Sequence, residues 1–254
     1  MISLKDQLGN LVQLNAPAQR IVSLVPSQTE LLQHYGLENE TVGITKFCVH
    51  PREWFKNKER IGGTKNVDIE KVKKLNPDLI IGNKEENTPD DIHALQKDFP
   101  VYISDIVTFD DAFQMMKDVG ILCGKEQVAV DLIDAIREDV EDFPKFSGTV
   151  LYAIWKDPYM VCGTHNFIHS VLEKIGLTNL IKEPRYVEIT KEEIIALNPD
   201  YLLLSSEPYP FSTKNILEFR TLEDTRIFLV DGEIFSWYGS RMLKMKDYFK
   251  ELAL

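Results

Sequence analysis

The sequence predicts an α/β protein of two Rossmann-like, three-layer lobes with parallel sheets, joined by one long backbone helix. Three observations carry this. Short apolar runs alternate with amphipathic stretches in both halves of the chain, as expected of strands covered on both faces by helices. The tetrapeptide LNPD occurs twice, 122 positions apart, each time between an amphipathic stretch and an apolar run. The connector between the halves carries apolar residues at helical spacing, where a loose linker would be rich in Gly and Ser. The boundaries that follow are a first lobe over residues 1–105, a connecting helical segment over 106–147 and a second lobe over 148–254.

The elements follow in order. Residues 2–6 and 11–14 flank a Gly9-Asn10 turn and read as a hairpin. The apolar run 20–25 is a strand. Ser27 then reads as the N-cap of a helix bearing Leu31 and Leu32, and Gly36 stops it. A second strand covers 42–45. Asp68 caps a helix that ends near Leu75, and strands follow at 79–81 and 101–103, with a helix over 89–97 between them. In the second half, residues 149–154 read as a strand and 165–175 as a helix ended by Gly176. Thr190, with Glu193 three positions on, reads as a capping box. Strands at 201–204 and 227–230 and a final helix over 241–252 complete the set.

The two LNPD regions match beyond the tetrapeptide. Aligned at the same offset, residues 67–85 and 189–207 share Glu70/Glu192, Leu75/Leu197, Asn76/Asn198, Pro77/Pro199, Asp78/Asp200 and Glu85/Glu207. A helix-exit turn explains each copy alone, because Pro cannot continue a helix and Asn and Asp suit turns. It does not explain the matching helix before and strand after, which point to one unit built twice. Between the copies, Phe109, Ala112, Phe113 and Met116 repeat at helical spacing. After Gly124 a second stripe runs through Ala129, Leu132, Ile133, Ile136 and Val140. The helix over 125–142 is roughly 27 Å long.

Bulk properties narrow the function. The chain has 254 residues, 44% hydrophobic and 27% charged, with a net charge of −11, so a phosphate backbone is repelled and nucleic acid is not an expected partner. The opening MISLKDQLGNLVQLNAP lacks a basic region followed by an apolar one. That leaves either a cytoplasmic chain beginning at Met1 or a periplasmic one whose leader has been removed. Three cysteines, Cys48, Cys123 and Cys162, are not a disulfide framework. Nucleophile-elbow, P-loop, dinucleotide and HExxH motifs are missing, so no enzyme activity is expected. Nothing calls for a homo-oligomer, and a monomer is expected.

The runs QRIVSLVPSQTELLQHYGL, VGITKFCVHP and IGGTKNVDIEKVKKLNPDLII resemble the helical-backbone class of ABC-transporter substrate-binding proteins, which includes cobalamin- and ferric-siderophore-binding receptors. The opening KDQLGNLVQL and the closing FSWYGSRML are similar to that family too, so the resemblance spans essentially the whole chain. It implies a two-lobed binder that holds a corrinoid, haem or ferric siderophore in an interlobe cleft and delivers it to an ABC transporter. No cofactor is intrinsic to such a protein; cobalt or iron arrives with the ligand.

Candidate ligand-binding residues in the first half are Phe47, Cys48, His50, Thr64, Lys65, Asn83 and Glu86. In the second half they are Trp155, His165, Arg185, Tyr186, Trp237, Tyr238 and Arg241. By resemblance, Thr64, Asn83, Trp155, Tyr186 and Trp237 fall near the family's cleft positions. Aromatic faces suit a large, flat ligand, and Arg and Lys grip carboxylates or phosphates. Trp155 and Trp237 are expected to be exposed, each lying in a polar, turn-rich stretch. Cys48-Val-His50 and Cys162-Gly-Thr-His165 invite a metal reading, with Cys48, His50 and His165 as candidates. The alternative function is a cytoplasmic metal- or tetrapyrrole-handling protein built on those three residues. Finally, the resemblance matches Glu70 and Glu192 to the glutamates that family members offer to arginines on a dimeric permease. Their local alternative is the favourable place of an acid in a helix's first turn.

Overall fold

A computed structural model describes residues 1–252, and the chain divides into two units. The first comprises Met1–Ile106, Asp110–Ile136 and Tyr238–Arg241; the second comprises Val107–Phe109, Arg137–Trp237 and the residues from Met242 onwards.

The first unit opens with an antiparallel hairpin, β1 (Ile2–Lys5) and β2 (Leu11–Leu14), paired from Ile2↔Leu14 to Lys5↔Leu11. The Asp6 carboxylate closes its turn by accepting from the Leu8 and Asn10 backbone N–H groups at 3.0 and 2.7 Å. The chain then alternates. Strand β3 (Ile21–Ser23), helix α1 (Pro26–His34), β4 (Thr41–Ile44), α2 (Arg52–Asn57) and β5 (Glu59–Arg60) lead to a small hairpin, β6 (Gly62–Gly63) and β7 (Asn66–Val67). Helix α3 (Ile69–Leu75), β8 (Leu79–Asn83), α4 (Pro89–Gln96) and β9 (Val101–Ser104) follow. The main sheet has the order β5-β4-β3-β8-β9 and is parallel throughout. Val22, Ile80 and Ile103 of its strands pack with Leu24, Ile61, Val72 and Leu95 in one buried core. Each such side chain contributes about 1.5–3 kcal/mol on leaving water.

Ser27 does not cap α1. The cap is Val25, extended and without a side-chain bond, and Pro26 occupies the first helical position. Pro suits that position because its φ is preset and its missing N–H would have had no helical partner. It sets the helix start two residues earlier than expected and leaves Ser27 inside the first turn.

Helices α5 (Phe109–Leu122) and α6 (Glu126–Glu141) occupy the expected connector. Ala129, Leu132, Ile133, Ile136 and Val140 of α6 are all buried, as their spacing predicts. The two helices approach closely at Gly120, where a Cβ would meet that of Ala129 at 2.6 Å. The division between the units falls within α6, between Ile136 and Arg137.

The second unit holds β10 (Thr149–Trp155), β11 (Tyr159–Cys162), α7 (Phe167–Lys174), β12 (Thr178–Asn179), β13 (Tyr186–Ile189), α8 (Lys191–Leu197) and β14 (Tyr201–Ser205). Helix α9 (Thr213–Ile216), β15 (Arg226–Val230), α10 (Gly232–Ser236), a 3-10 turn over Ser240–Lys244 shared with the first unit, and α11 (Met245–Leu252) complete it. Strands β12, β10, β14 and β15 run parallel, and β11 and β13 add an antiparallel edge, giving the path β13-β11-β10-β14-β15 with β12 beside β10. Sequence reasoning missed the edge strands. Asp157, with φ +62°, turns the chain back straight after β10, so β11 pairs with it. The Asp157-Pro158 turn signal was present in the sequence. Helix α7 also begins later than expected, because Asn166 caps it by accepting from the His169 N–H at 2.9 Å. His165 therefore lies outside the helix, at φ +56°, and does not share a helical face with His169.

The repeat is closest at the helix ends that carry LNPD. Helices α3 and α8 both have seven residues, and Asn76 and Asn198 end them in the left-handed conformation at φ/ψ 44°/61° and 42°/62°. The Asp78 carboxylate then accepts from the Gln19 and Arg20 N–H groups, both at 2.9 Å, just before β3. Asp200 accepts from the N–H and hydroxyl of Thr149, at 2.6 and 2.8 Å, at the start of β10. In each unit the motif thus turns the chain out of a helix and ties the next strand to its central neighbour, with registers Ile21↔Leu79 and Val150↔Tyr201.

Candidate functional site

In parallel α/β sheets the loops at the carboxyl ends of the strands gather ligands. In the first unit those loops follow β3, β4, β8 and β9. Beyond β4, Phe47 is half exposed, with the Lys46 ammonium 5.1 Å from its ring centre, and Val49 is exposed. Cys48 between them is fully buried, its Sγ 3.1 Å from Thr29 Oγ1 and 3.2 Å from Thr45 Oγ1. Burial pushes its thiol above the ordinary value, which opposes formation of the thiolate. His50 is half-buried.

Beyond β8, Asn83 organises a loop. Its Oδ1 accepts from the Glu85 and Glu86 N–H groups at 2.8 and 3.1 Å, and its Nδ2 donates to the Ser104 carbonyl and hydroxyl. Asn87 completes the arrangement by donating to the Thr64 carbonyl at 3.0 Å and accepting from the Asn83 N–H at 2.9 Å. Asn83 and Thr64, both candidates for ligand contact, are buried, and the Asn83 side chain is occupied by this loop. Lys65 is exposed and donates to the Glu85 carbonyl. Glu86 is reachable by solvent, yet crowding by protein raises its carboxyl against the pull of Lys65.

Tyr238 and Arg241 belong to the first unit, not the second. Tyr238 is buried, its hydroxyl facing Ser104, Ser27 and Gln28, and burial raises its pKa. Arg241 forms a two-pronged pair with Glu30, Nε to Oε2 at 2.8 Å and Nη2 to Oε1 at 3.0 Å, with both side chains largely withdrawn from water. Sequence reasoning placed Arg241 among ligand-gripping groups; its guanidinium instead ties the 238–241 segment to α1.

In the second unit, Trp155 ends β10 and is 40% exposed, as expected. Tyr209 meets it edge-on with ring centres 5.8 Å apart, and Phe211 extends the array at 4.8 Å from Tyr209. Beside them Glu218 accepts from Lys156 at 2.6 Å and from the Tyr159 hydroxyl at 2.8 Å. Trp237 departs from expectation. It is only 8% exposed, because its indole turns inward to donate to Glu207 Oε1 at 3.0 Å. Burial and the nearby Glu233 push the Glu207 carboxyl up to about 7, against the hydrogen bonds from Ser236 and Trp237.

Arg185 at φ +66° and half-buried Tyr186 stand where the chain enters β13, and the Arg185 backbone exchanges bonds with Gly163 and Thr164. His165 is exposed, its Nδ1 3.0 Å from Thr164 Oγ1. Cys162 is buried against Asn166 Oδ1 at 3.0 Å, and burial raises its thiol to about 12. Among the described residues no group of three or more His, Cys, Asp or Glu side chains could hold a metal ion. Glu207 and Tyr209 were absent from the candidates. The signal for Glu207 was its repeat partner Glu85, two residues past the equivalent strand.

Glu70 and Glu192 occupy the second position of α3 and α8. Both are exposed, Glu70 with 80% of its side chain accessible and 4.0 Å from Lys73. No helix among the described residues is long and apolar enough to cross a membrane.

A family model for periplasmic binding proteins matches residues 21–225. An ABC transporter substrate-binding lipoprotein of Bacillus subtilis (strain 168), YvrC, is 25% identical over 261 residues, covering 96% of this chain and 82% of the relative. The vitamin B12-binding protein of Vibrio campbellii (strain ATCC BAA-1116) is 23% identical over 199 residues, covering 75% of this chain and 72% of that one. Among solved structures, the periplasmic heme-binding protein RhuT from Roseiflexus sp. RS-1 superimposes with a TM-score of 0.78 at 20% identity, covering 93% of this chain and all of that one. These relatives are substrate-binding proteins rather than enzymes.

Proposed function

We propose that this chain, which belongs to the periplasmic binding protein family, is a solute-binding protein that captures a metal complex, a corrinoid, haem or ferric siderophore, and hands it to an ABC transporter. The observation that carries the reading is the extent of the family match, which runs through both copies of the repeat and the connector helices. The names of the relatives support the ligand class and the transporter. The chemistry agrees within each unit: the first presents Phe47 with Lys65 and Glu86 beyond its strands, and the second presents Trp155 and Tyr209 with Glu207 at the carboxyl ends of β10 and β14. Flat, partly apolar ligands are held by such surfaces. Glu70 and Glu192, one at the same exposed helix start in each unit, are the proposed docking carboxylates.

Mass spectrometry of ligand co-purifying with the protein, followed by titration with cyanocobalamin, haemin and a ferric hydroxamate, tests the proposal. One of the three is expected to bind saturably with Kd below about 1 μM and, at 100 Kd, to stabilise the fold by about 2.7 kcal/mol without being converted. Failure of all three to bind, or chemical turnover of a bound one, would overturn it.

A further inference from the structure

Glu207 stands two residues beyond β14, and its surroundings hold the carboxyl in one attitude. Gly232, at the start of α10, lies so close that a Cβ there would meet Glu207 Cγ at 2.6 Å and Ser205 Oγ at 2.4 Å. Only glycine lets the glutamate stem lie against the helix start. Oε1 accepts from Trp237 Nε1 at 3.0 Å and from Ser236 Oγ at 3.2 Å. Oε2 has no partner among the described residues, and the side chain is part-exposed.

The carboxyl thus has one oxygen fixed and one open, at a sheet end where Trp155 is exposed. Tyr209 belongs to the same end, since its N–H reaches the Ile154 carbonyl at 3.3 Å and its ring meets Trp155. The base next to Trp155, Lys156, is held by Glu218 at 2.6 Å, while Glu233 and Asp231 add negative potential at Glu207.

We propose that Glu207 is a specificity-determining residue: its open oxygen accepts hydrogen bonds from N–H donors on the ligand, carboxamide or ammonium groups, and turns away ligand carboxylates. This rests on the solute-binding reading above and deepens it by naming the peripheral chemistry the ligand carries. The ionised carboxyl, the form favoured at pH 7.5, accepts from an amide N–H through its open oxygen. A ligand carboxylate would instead approach Glu207, Glu233 and Asp231 together.

The test uses probe pairs that differ only in this group: a corrinoid whose side chains are all carboxamides against its monocarboxylate, and the bis-amide of haemin against haemin. The full chain and its E207Q variant are titrated with each at pH 7.5, and thermal unfolding checks that the variant is folded. The wild type is expected to bind the amide member at least ten-fold more tightly. In E207Q the ratio is expected to fall below about three-fold, chiefly because the carboxylate member gains. Equal affinities for the wild type, or a ratio that survives E207Q, overturn the inference and leave the solute-binding role standing. If E207Q does not fold, Glu207→Ala takes its place with the same fall in the ratio expected. No binding by any probe overturns both readings for these ligand classes.

Discussion

Trp237 donates its indole N–H to Glu207 Oε1 across 3.0 Å, so an aromatic residue in a polar stretch is buried as the holder of a carboxyl. Burial sets the carboxyl near 7, with Glu233 and Asp231 adding repulsion and Ser236 and Trp237 opposing it. Below the ordinary value of 4.5 the group is protonated in both folded and unfolded states. Between 4.5 and about 7 the unfolded chain gives up its proton while the native one keeps it, so stability falls as pH rises through that window and then levels. Glu207→Gln is expected to remove that fall and to exceed the wild type at pH 8 by roughly 2 kcal/mol, allowing for part exposure. Urea unfolding at pH 4.5 and pH 8 measures it; parallel pH profiles for the two proteins would contradict it.

Asn76 and Asn198 hold the same left-handed conformation at the ends of α3 and α8. Replacing either by Ala should cost about 1 kcal/mol, while Gly should be close to neutral. Similar losses at the two sites in denaturant titrations are expected, since the local geometry is the same.

The Arg241–Glu30 pair is largely withdrawn from water. Arg241→Ala leaves Glu30 a poorly compensated charge and should destabilise by about 3–5 kcal/mol. The double change Arg241→Met with Glu30→Met should recover much of that loss. Calorimetric unfolding of the three proteins separates a structural pair from a group held for ligand.

Cys48, Cys123 and Cys162 are free and buried, and burial raises all three thiols. In the native protein they should react with a thiol-specific disulfide reagent at least ten-fold more slowly than in the unfolded chain. A fast-reacting native thiol would contradict the burial of all three.

Glu70→Ala together with Glu192→Ala should abolish stimulation of a cognate transporter reconstituted in vesicles and leave ligand affinity within about two-fold, since both side chains are exposed at helix starts. Unaltered transport would return both residues to their local role beside the helix dipole.

Much of the fold was legible because it is written in local rules. LNPD announced itself twice, since a left-handed Asn, a helix-breaking Pro and a strand-clamping Asp act over a few residues. The stripe from Ala129 to Val140 showed a buried helix face for the same reason. The edge strands β11 and β13 were missed because their partners are set by a turn at Asp157 that redirects a run otherwise readable as loop.

The site was less legible. Phe47, Lys65, Glu86, Trp155 and His165 are exposed, but Asn83, Trp237 and Arg241 are occupied by neighbours far away in sequence. Sequence by itself determined the alternation, the repeat, the connector helices and the family resemblance, all of which depend on periodicity and short-range backbone preference. Tertiary structure alone decided which polar side chains face water. Whether an indole or a guanidinium is open to a ligand depends on what packs against it, and Trp237 meets Glu207 from 30 residues away, while Arg241 meets Glu30 from 211.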